Sequence, residues 1–174
     1  MLYLYATGTM RSFLSTIFLS LLLPCAVKGQ FNILPNPGFE DTASCPTNYG
    51  QVTSACKDWR SFTSSSPDYL HSCNSGNLSV PNNYAGQQTA LSGNAYCGIM
   101  THYTPVAHYE YITAHIPALQ PGGMYQMSLA VSRGSFALAT NNIGIFFYDT
   151  GMAFHNTTGL LTDTPQIHFY SLGT

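Results

Sequence analysis

Charge is what this chain most lacks. Lys, Arg, Asp and Glu together make up 7% of its 174 residues, as five bases and seven acids. Arg11 and Lys28 precede residue 30, so the remainder keeps only Lys57, Arg60 and Arg133 against all seven acids. Phosphate backbones are bound chiefly through neutralising Lys and Arg, so nucleic acid is excluded as a partner. There is no CxxC pair, no HxH or HExxH, and no serine in a nucleophile elbow, which removes the common zinc and serine-hydrolase signatures. No stretch beyond residue 29 sustains a capped helical stripe. A chain poor in both charge and aromatics would read as disordered, yet aromatics are 13% of this one. Its polarity comes from Ser, Thr and Asn, as in extracellular β domains.

What is present begins with a leader. Residues 10–29 read MRSFLSTIFLSLLLPCAVKG, with Arg11 as a positive n-region, Phe13 to Leu23 as an apolar run, and Val27 and Gly29 at the cleavage positions. That is the layout of a secretory signal peptide, so residues 1–29 are expected to be removed before Gln30, with Met10 as an alternative start. The run is too short and too interrupted by serine for a membrane span of about 20 residues. Lipidation of Cys25 is disfavoured by Pro24, which stands where such signals want a small residue. The expected location is secreted, periplasmic or outer-surface, without a transmembrane segment in the mature chain. Residues 30–174 suffice for one cored domain.

Four cysteines remain beyond the leader: Cys45, Cys56, Cys73 and Cys97. An even count in an exported chain predicts two disulfides, and three pairings are formally open. Spacing makes Cys45–Cys56 with Cys73–Cys97 the simplest. A zinc site of four scattered cysteines is the disfavoured rival.

The apolar residues come in short runs between turn formers. MYQMSLAVS alternates, with Tyr125, Met127, Leu129 and Val131 on one face, and predicts a half-buried strand. YEYITAHIP alternates through Ile112, Ala114 and Ile116. The LQPGG turn between the two segments makes them a candidate antiparallel pair. Further strands are expected at AYCGIMTHY and at NIGIFFYDT, the latter central to its sheet, and a short one at DWRSF around Trp59. Residues 45–93 otherwise read as stapled loops. Together these predict an all-β antiparallel sandwich. Because TPQIHFYSLGT opens a strand near the end, the domain is expected to lack its last strands.

LPNPGFED followed by CP, then Trp59, PDYLHSC, VPNNYAGQQTALSGNAYCGI, EYI, LQPGGMYQMSLAVS and NNIGIFF resemble one type of domain. It is the N-terminal domain of exported proteins from Bacteroidetes-type bacteria, often joined to an OmpA-type or gliding-motility-associated C-terminal region. NPGFE also resembles the opening of jelly-roll carbohydrate-binding modules with the galactose-binding-like fold. Their L-x-x-G-x-x-Y-x-x-S pattern recurs here at Leu119, Gly122, Tyr125 and Ser128. The resemblance implies a two-sheet jelly roll with a structural calcium near the first strand. Glu40 would be its first acid, and the partner acid on the last strand has no counterpart here.

Calcium takes carboxylate and carbonyl oxygens in irregular loops, so Asn36, Glu40 and Asp41 are the candidate ligands. In the competing reading Asn36 caps a turn, Phe39 plugs the core and Glu40 accepts backbone hydrogen bonds. Neutral or cell-wall polysaccharide is the candidate partner, stacking on aromatics among Trp59, Tyr69, Tyr84, Tyr103 and Tyr109, beside Asn82, Asn83 and Gln87. The rival is that these rings fill the core. His71, His102 and His108 form no metal motif, and Asp68 with Glu110 could be paired as a glycosidase acid and base only as any two acids could, since that chemistry requires a measured separation. Asn77 and Asn156 match the glycosylation sequon, which matters only in a host that reads it. The expected function is a non-catalytic, exported binding domain. The alternatives are a structural or adhesion domain and an accessory module of a hydrolase.

Overall fold

The computed structural model describes residues 2–7, 32–101, 103, 105–135, 143–149 and 153–169. The expected leader beyond Thr7, Cys25 and His102 lie outside them. The described residues form ten short strands and one four-residue helix, the all-β class expected. Five two-stranded antiparallel sheets result, and none closes. β1 (Leu2–Thr7) pairs with β8 (Met124–Leu129), and β2 (Trp59–Ser61) pairs with β7 (Ile112–Ala114). β3 (Asp68–His71) pairs with β6 (Ala95–Gly98), and β4 (Asn82–Asn83) with β5 (Gly86–Gln87). β9 (Ile143–Ile145) pairs with β10 (Ile167–Phe169). Helix α1 (Val52–Ala55) precedes β2.

The core gathers where the first of these elements meet. Leu34, Phe39, Val52, Ala55, Cys56, Trp59, Tyr69 and Ala95 form one buried cluster, with Ile112, Ala114, Ile116 and Cys97 packed against it. Val52 and Ala55 sit three apart, so one helical turn puts both on the same face. Phe39 and Trp59 meet with ring centroids 4.8 Å apart. Removing a side chain such as Phe39 from water contributes roughly 1.5–3 kcal/mol.

NPGFED is the knot that presents Phe39. Asn36 and Phe39 have φ of 44° and 62°, a left-handed backbone that Asn tolerates and a bulky residue rarely adopts. The Asn36 amide Nδ2 donates to the carbonyls of Asp41 at 3.0 Å and Lys57 at 2.8 Å, while its Oδ1 accepts the Asp41 N–H at 2.9 Å. The Trp59 indole donates to the Asn36 carbonyl at 2.9 Å, and the Tyr69 hydroxyl to the Phe39 carbonyl at 2.7 Å. The strain at Phe39 is thus held on both sides.

Several expected strands form, but two pairings differ. The strand at Met124–Leu129 does not join Ile112–Ala114 as a hairpin. β7 gives its edge to β2 instead, because Ile112 and Ala114 pack on the cluster that holds Trp59. β9, expected to be central, is paired among the described residues with β10 alone.

Asn36 is 8% exposed, so replacing it strands buried donors and acceptors. Asn36→Ala is expected to lower the unfolding free energy by roughly 1–3 kcal/mol, read from the chemical-denaturation midpoint. An unchanged midpoint would show that the knot is not organised by this amide.

Candidate functional site

Two loops face each other beside the core. The first follows Cys45 and the second follows Cys73, and a disulfide joins these cysteines with Cα atoms 6.0 Å apart. The expected pairing of Cys45 with Cys56 and Cys73 with Cys97 is therefore corrected. Cys56 follows α1 into the core, where its Sγ accepts from Asn36 Nδ2 at 3.4 Å. Cys56 and Cys97 are free thiols in this structure.

Each loop is fixed by its own polar side chains. The Gln51 carboxamide oxygen accepts the N–H groups of Thr47 and Asn48 at 2.7 and 2.8 Å. Across the gap, Asn74 Nδ2 donates to the Pro46 carbonyl at 2.9 Å, and Asn77 Nδ2 to the Tyr49 hydroxyl at 3.3 Å. Between them lies an open groove of about 410 Å³, within the size range of small-molecule sites, about 300–1,000 Å³. Thr47, Asn48 and Tyr49 line one side, and residues 74–78 (Asn, Ser, Gly, Asn, Leu) line the other. Among the described residues no charged side chain lines it.

Tyr49 is the exposed ring of the groove, at 51%. Tyr84 stands edge-on to it with centroids 5.1 Å apart and is itself 41% exposed. The Tyr84 hydroxyl donates to Asp68 Oδ2 at 2.5 Å, and burial together with that bond holds its phenol well above the ordinary tyrosine range. Asp68 Oδ1 accepts the Gly50 N–H at 2.6 Å, so one carboxylate positions the loop of Tyr49 and the ring of Tyr84.

The other expected ligand contacts divide. Tyr69 is fully buried and Trp59 is 5% exposed, so both are core residues, and Tyr69 is corrected as a ligand contact. Asn83 is committed to the fold: its Nδ2 donates to the Tyr96 hydroxyl and the Ser79 carbonyl, and its Oδ1 accepts the Ala85 N–H. Asn82 and Gln87 are exposed partners in the β4–β5 pair. Tyr103 is exposed and Tyr109 half-buried, and neither lines the groove. Tyr49 escaped the sequence reading. Its signal is the TNYG turn that follows Cys45 and Pro46.

The calcium candidates do not fit a cation cage. Glu40 Oε1 accepts the N–H groups of Asn94 and Ala95 at 2.9 and 3.0 Å, and Oε2 accepts that of Asn94 at 3.0 Å. A Cβ at Gly93, whose φ is +71°, would fall 2.3 Å from the Glu40 carboxyl carbon, so this close approach requires glycine. Asn36 is engaged at both ends, as above, and Asp41 is exposed. Among the described residues no three His, Cys, Asp or Glu side chains gather to hold a metal.

Asp68 and Glu110 are both 8% exposed and within each other's field, but each is occupied. Glu110 Oε2 accepts the Met100 N–H at 2.7 Å, while Oε1 faces Ser66 and, at 3.5 Å, His108 Nε2. Burial, reinforced by the Asp68 charge, raises the Glu110 carboxyl above its ordinary value of 4.5. No helix among the described residues is long and apolar enough to cross a membrane. Comparison with family models, curated proteins and solved structures finds no match to this chain.

Two outcomes follow from these carboxylates. Glu40→Ala is expected to destabilise the protein by roughly 1–3 kcal/mol, whereas a chelator leaves the wild-type melting temperature unchanged. A fall in melting temperature on chelation would restore the calcium reading. For Glu110, the folded carboxyl keeps its proton at pH values where the unfolded one has lost it. Stability contributed by this residue therefore falls as pH rises from the ordinary value through the raised one, and is level on either side. Glu110→Gln should flatten that slope in melting temperature against pH. Parallel profiles would remove the assignment.

Proposed function

We propose that this chain is a non-catalytic, exported β domain that binds an uncharged carbohydrate in the Tyr49 groove. The resemblance to jelly-roll carbohydrate modules and to N-terminal domains of Bacteroidetes envelope proteins supports this reading, and with it a two-sheet jelly-roll architecture. The observation that carries it is the lining: an exposed tyrosine, the Asn48 and Asn77 side chains and small hydroxyls, with no charged group among the described residues. Sugar rings offer apolar faces for stacking and hydroxyls for amides, and neither contact needs net charge. The partner is then a neutral or cell-wall polysaccharide. A structural or adhesion role is the second reading, favoured by the burial of Trp59 and Tyr69.

An open groove buries little ligand, so affinity should lie between micromolar and millimolar, roughly −8 to −4 kcal/mol. Affinity electrophoresis against neutral and cell-wall polysaccharides tests this. Tyr49→Ala is expected to weaken retention about tenfold, or about 1.4 kcal/mol, with Asn77→Ala weakening it in the same sense. A folded protein retained by no polysaccharide, or equal retention of Tyr49→Ala, would leave the structural reading in place.

A further inference from the structure

Once Cys45 and Cys73 are joined, two thiols remain among the described residues. Both belong to one place. Cys56 is a member of the buried cluster, at the end of α1 where its N–H bonds the Val52 carbonyl at 3.1 Å. Cys97 lies on β6 opposite Tyr69 in β3, and packs on that same cluster. Tyr69 is itself a member of that cluster, so it and both cysteines share one packed environment.

We propose that Cys56 and Cys97 are a second disulfide site, closed by exchange with a protein or small-molecule disulfide. A thiolate at one cysteine attacks the donor disulfide, giving a mixed disulfide and releasing one donor thiolate. The other cysteine, after losing its proton, attacks the protein sulfur and releases the second donor thiolate. The two cysteine sulfurs are oxidised together by two electrons, and the donor disulfide is reduced to two thiols. The bond interleaves with Cys45–Cys73 along the chain, so the pair would tie α1 to β6 as well as loop to loop.

Timing follows from burial. Desolvation pushes the Cys56 thiol up to about 12, and the Cys97 thiol well above its ordinary value. Exchange proceeds through the thiolate, so a finished core reacts slowly. The bond is made while the core is still open, and then it is shielded from reductant.

The full chain, reduced and unfolded, is refolded in a mixture of oxidised and reduced glutathione, quenched in acid, denatured, alkylated and digested. The expected result is a peptide pair joined through Cys56 and Cys97 that disappears on reduction, with neither residue alkylated beforehand. Adding the same glutathione mixture to protein already folded with both thiols reduced should give the bond far more slowly. Cys97→Ala should leave Cys56 alkylatable, and only after denaturation. Alkylated Cys56 and Cys97 in refolded protein whose Cys45–Cys73 bond is intact would overturn the proposal. So would Cys56 joined to Cys45 or Cys73. The wild-type map decides alone if the variant does not fold.

Discussion

The side chain and carbonyl of Asn36 hold two chain segments together at one point, and the rest of the described fold hangs on that point. Its nitrogen takes the Asp41 and Lys57 carbonyls, its oxygen takes the Asp41 N–H, and its own backbone carbonyl receives the Trp59 indole. With residues 36–41 fixed against 57–59, Phe39 can only point into the cluster of Trp59 and Tyr69. Glu40, next in the chain, receives the amides of Asn94 and Ala95 at the start of β6. β6 pairs with β3, and Asp68 in β3 positions Gly50 and Tyr84. The groove is thus the last link of a chain of placements that starts at one buried amide.

The scarcity of charge has a structural counterpart. Glu40, Asp68 and Glu110 are three of the chain's seven acids, and each accepts backbone N–H from another segment, 54 and 55 residues away for Glu40, 18 for Asp68 and 10 for Glu110. A hydrogen bond to a charged acceptor is worth more than a neutral one, roughly 1.5–3 kcal/mol. Each of these carboxylates therefore works as a cross-link between loops that regular sheet does not join. None of them borders the groove, where amides, hydroxyls and one ring face the solvent.

Where one face of a strand meets water, alternation revealed it, as at Met124–Leu129 with Tyr125, Met127 and Leu129 half-buried. β3 left no such signal. Asp68, Tyr69 and Leu70 are buried in succession, so the segment has no period of two, and Pro67 before it reads as a loop. Tyr69 was misplaced among exposed rings for that reason. Partner choice was equally hidden. β7 and β8 are neighbours in sequence, but packing of Ile112 and Ala114 beside Trp59 decides the pairing. Cysteine spacing misled in the same way, since Cys56 is buried in the core cluster and Cys45 pairs with Cys73. The competing role for Glu40, as an acceptor of backbone hydrogen bonds, was legible, but its partners 54 and 55 residues away were not.

The groove illustrates how irregular loops can still form a defined surface. A loop without ladder hydrogen bonds loses freedom on binding, and that ordering cost is subtracted from affinity. Here much of the freedom is already removed. The Cys45–Cys73 bond, the Asn74 amide on Pro46 and the Asn77 amide on the Tyr49 hydroxyl cross the gap at three places. The Gln51 carboxamide closes the first loop on itself, and Asp68 anchors its far end through Gly50. Tyr49 is therefore exposed without being free, held by its hydroxyl at one end and by the edge of Tyr84 on its flank. An aromatic plane fixed in this way would leave a ligand stacked on it little to order, offsetting the small area that an open groove buries.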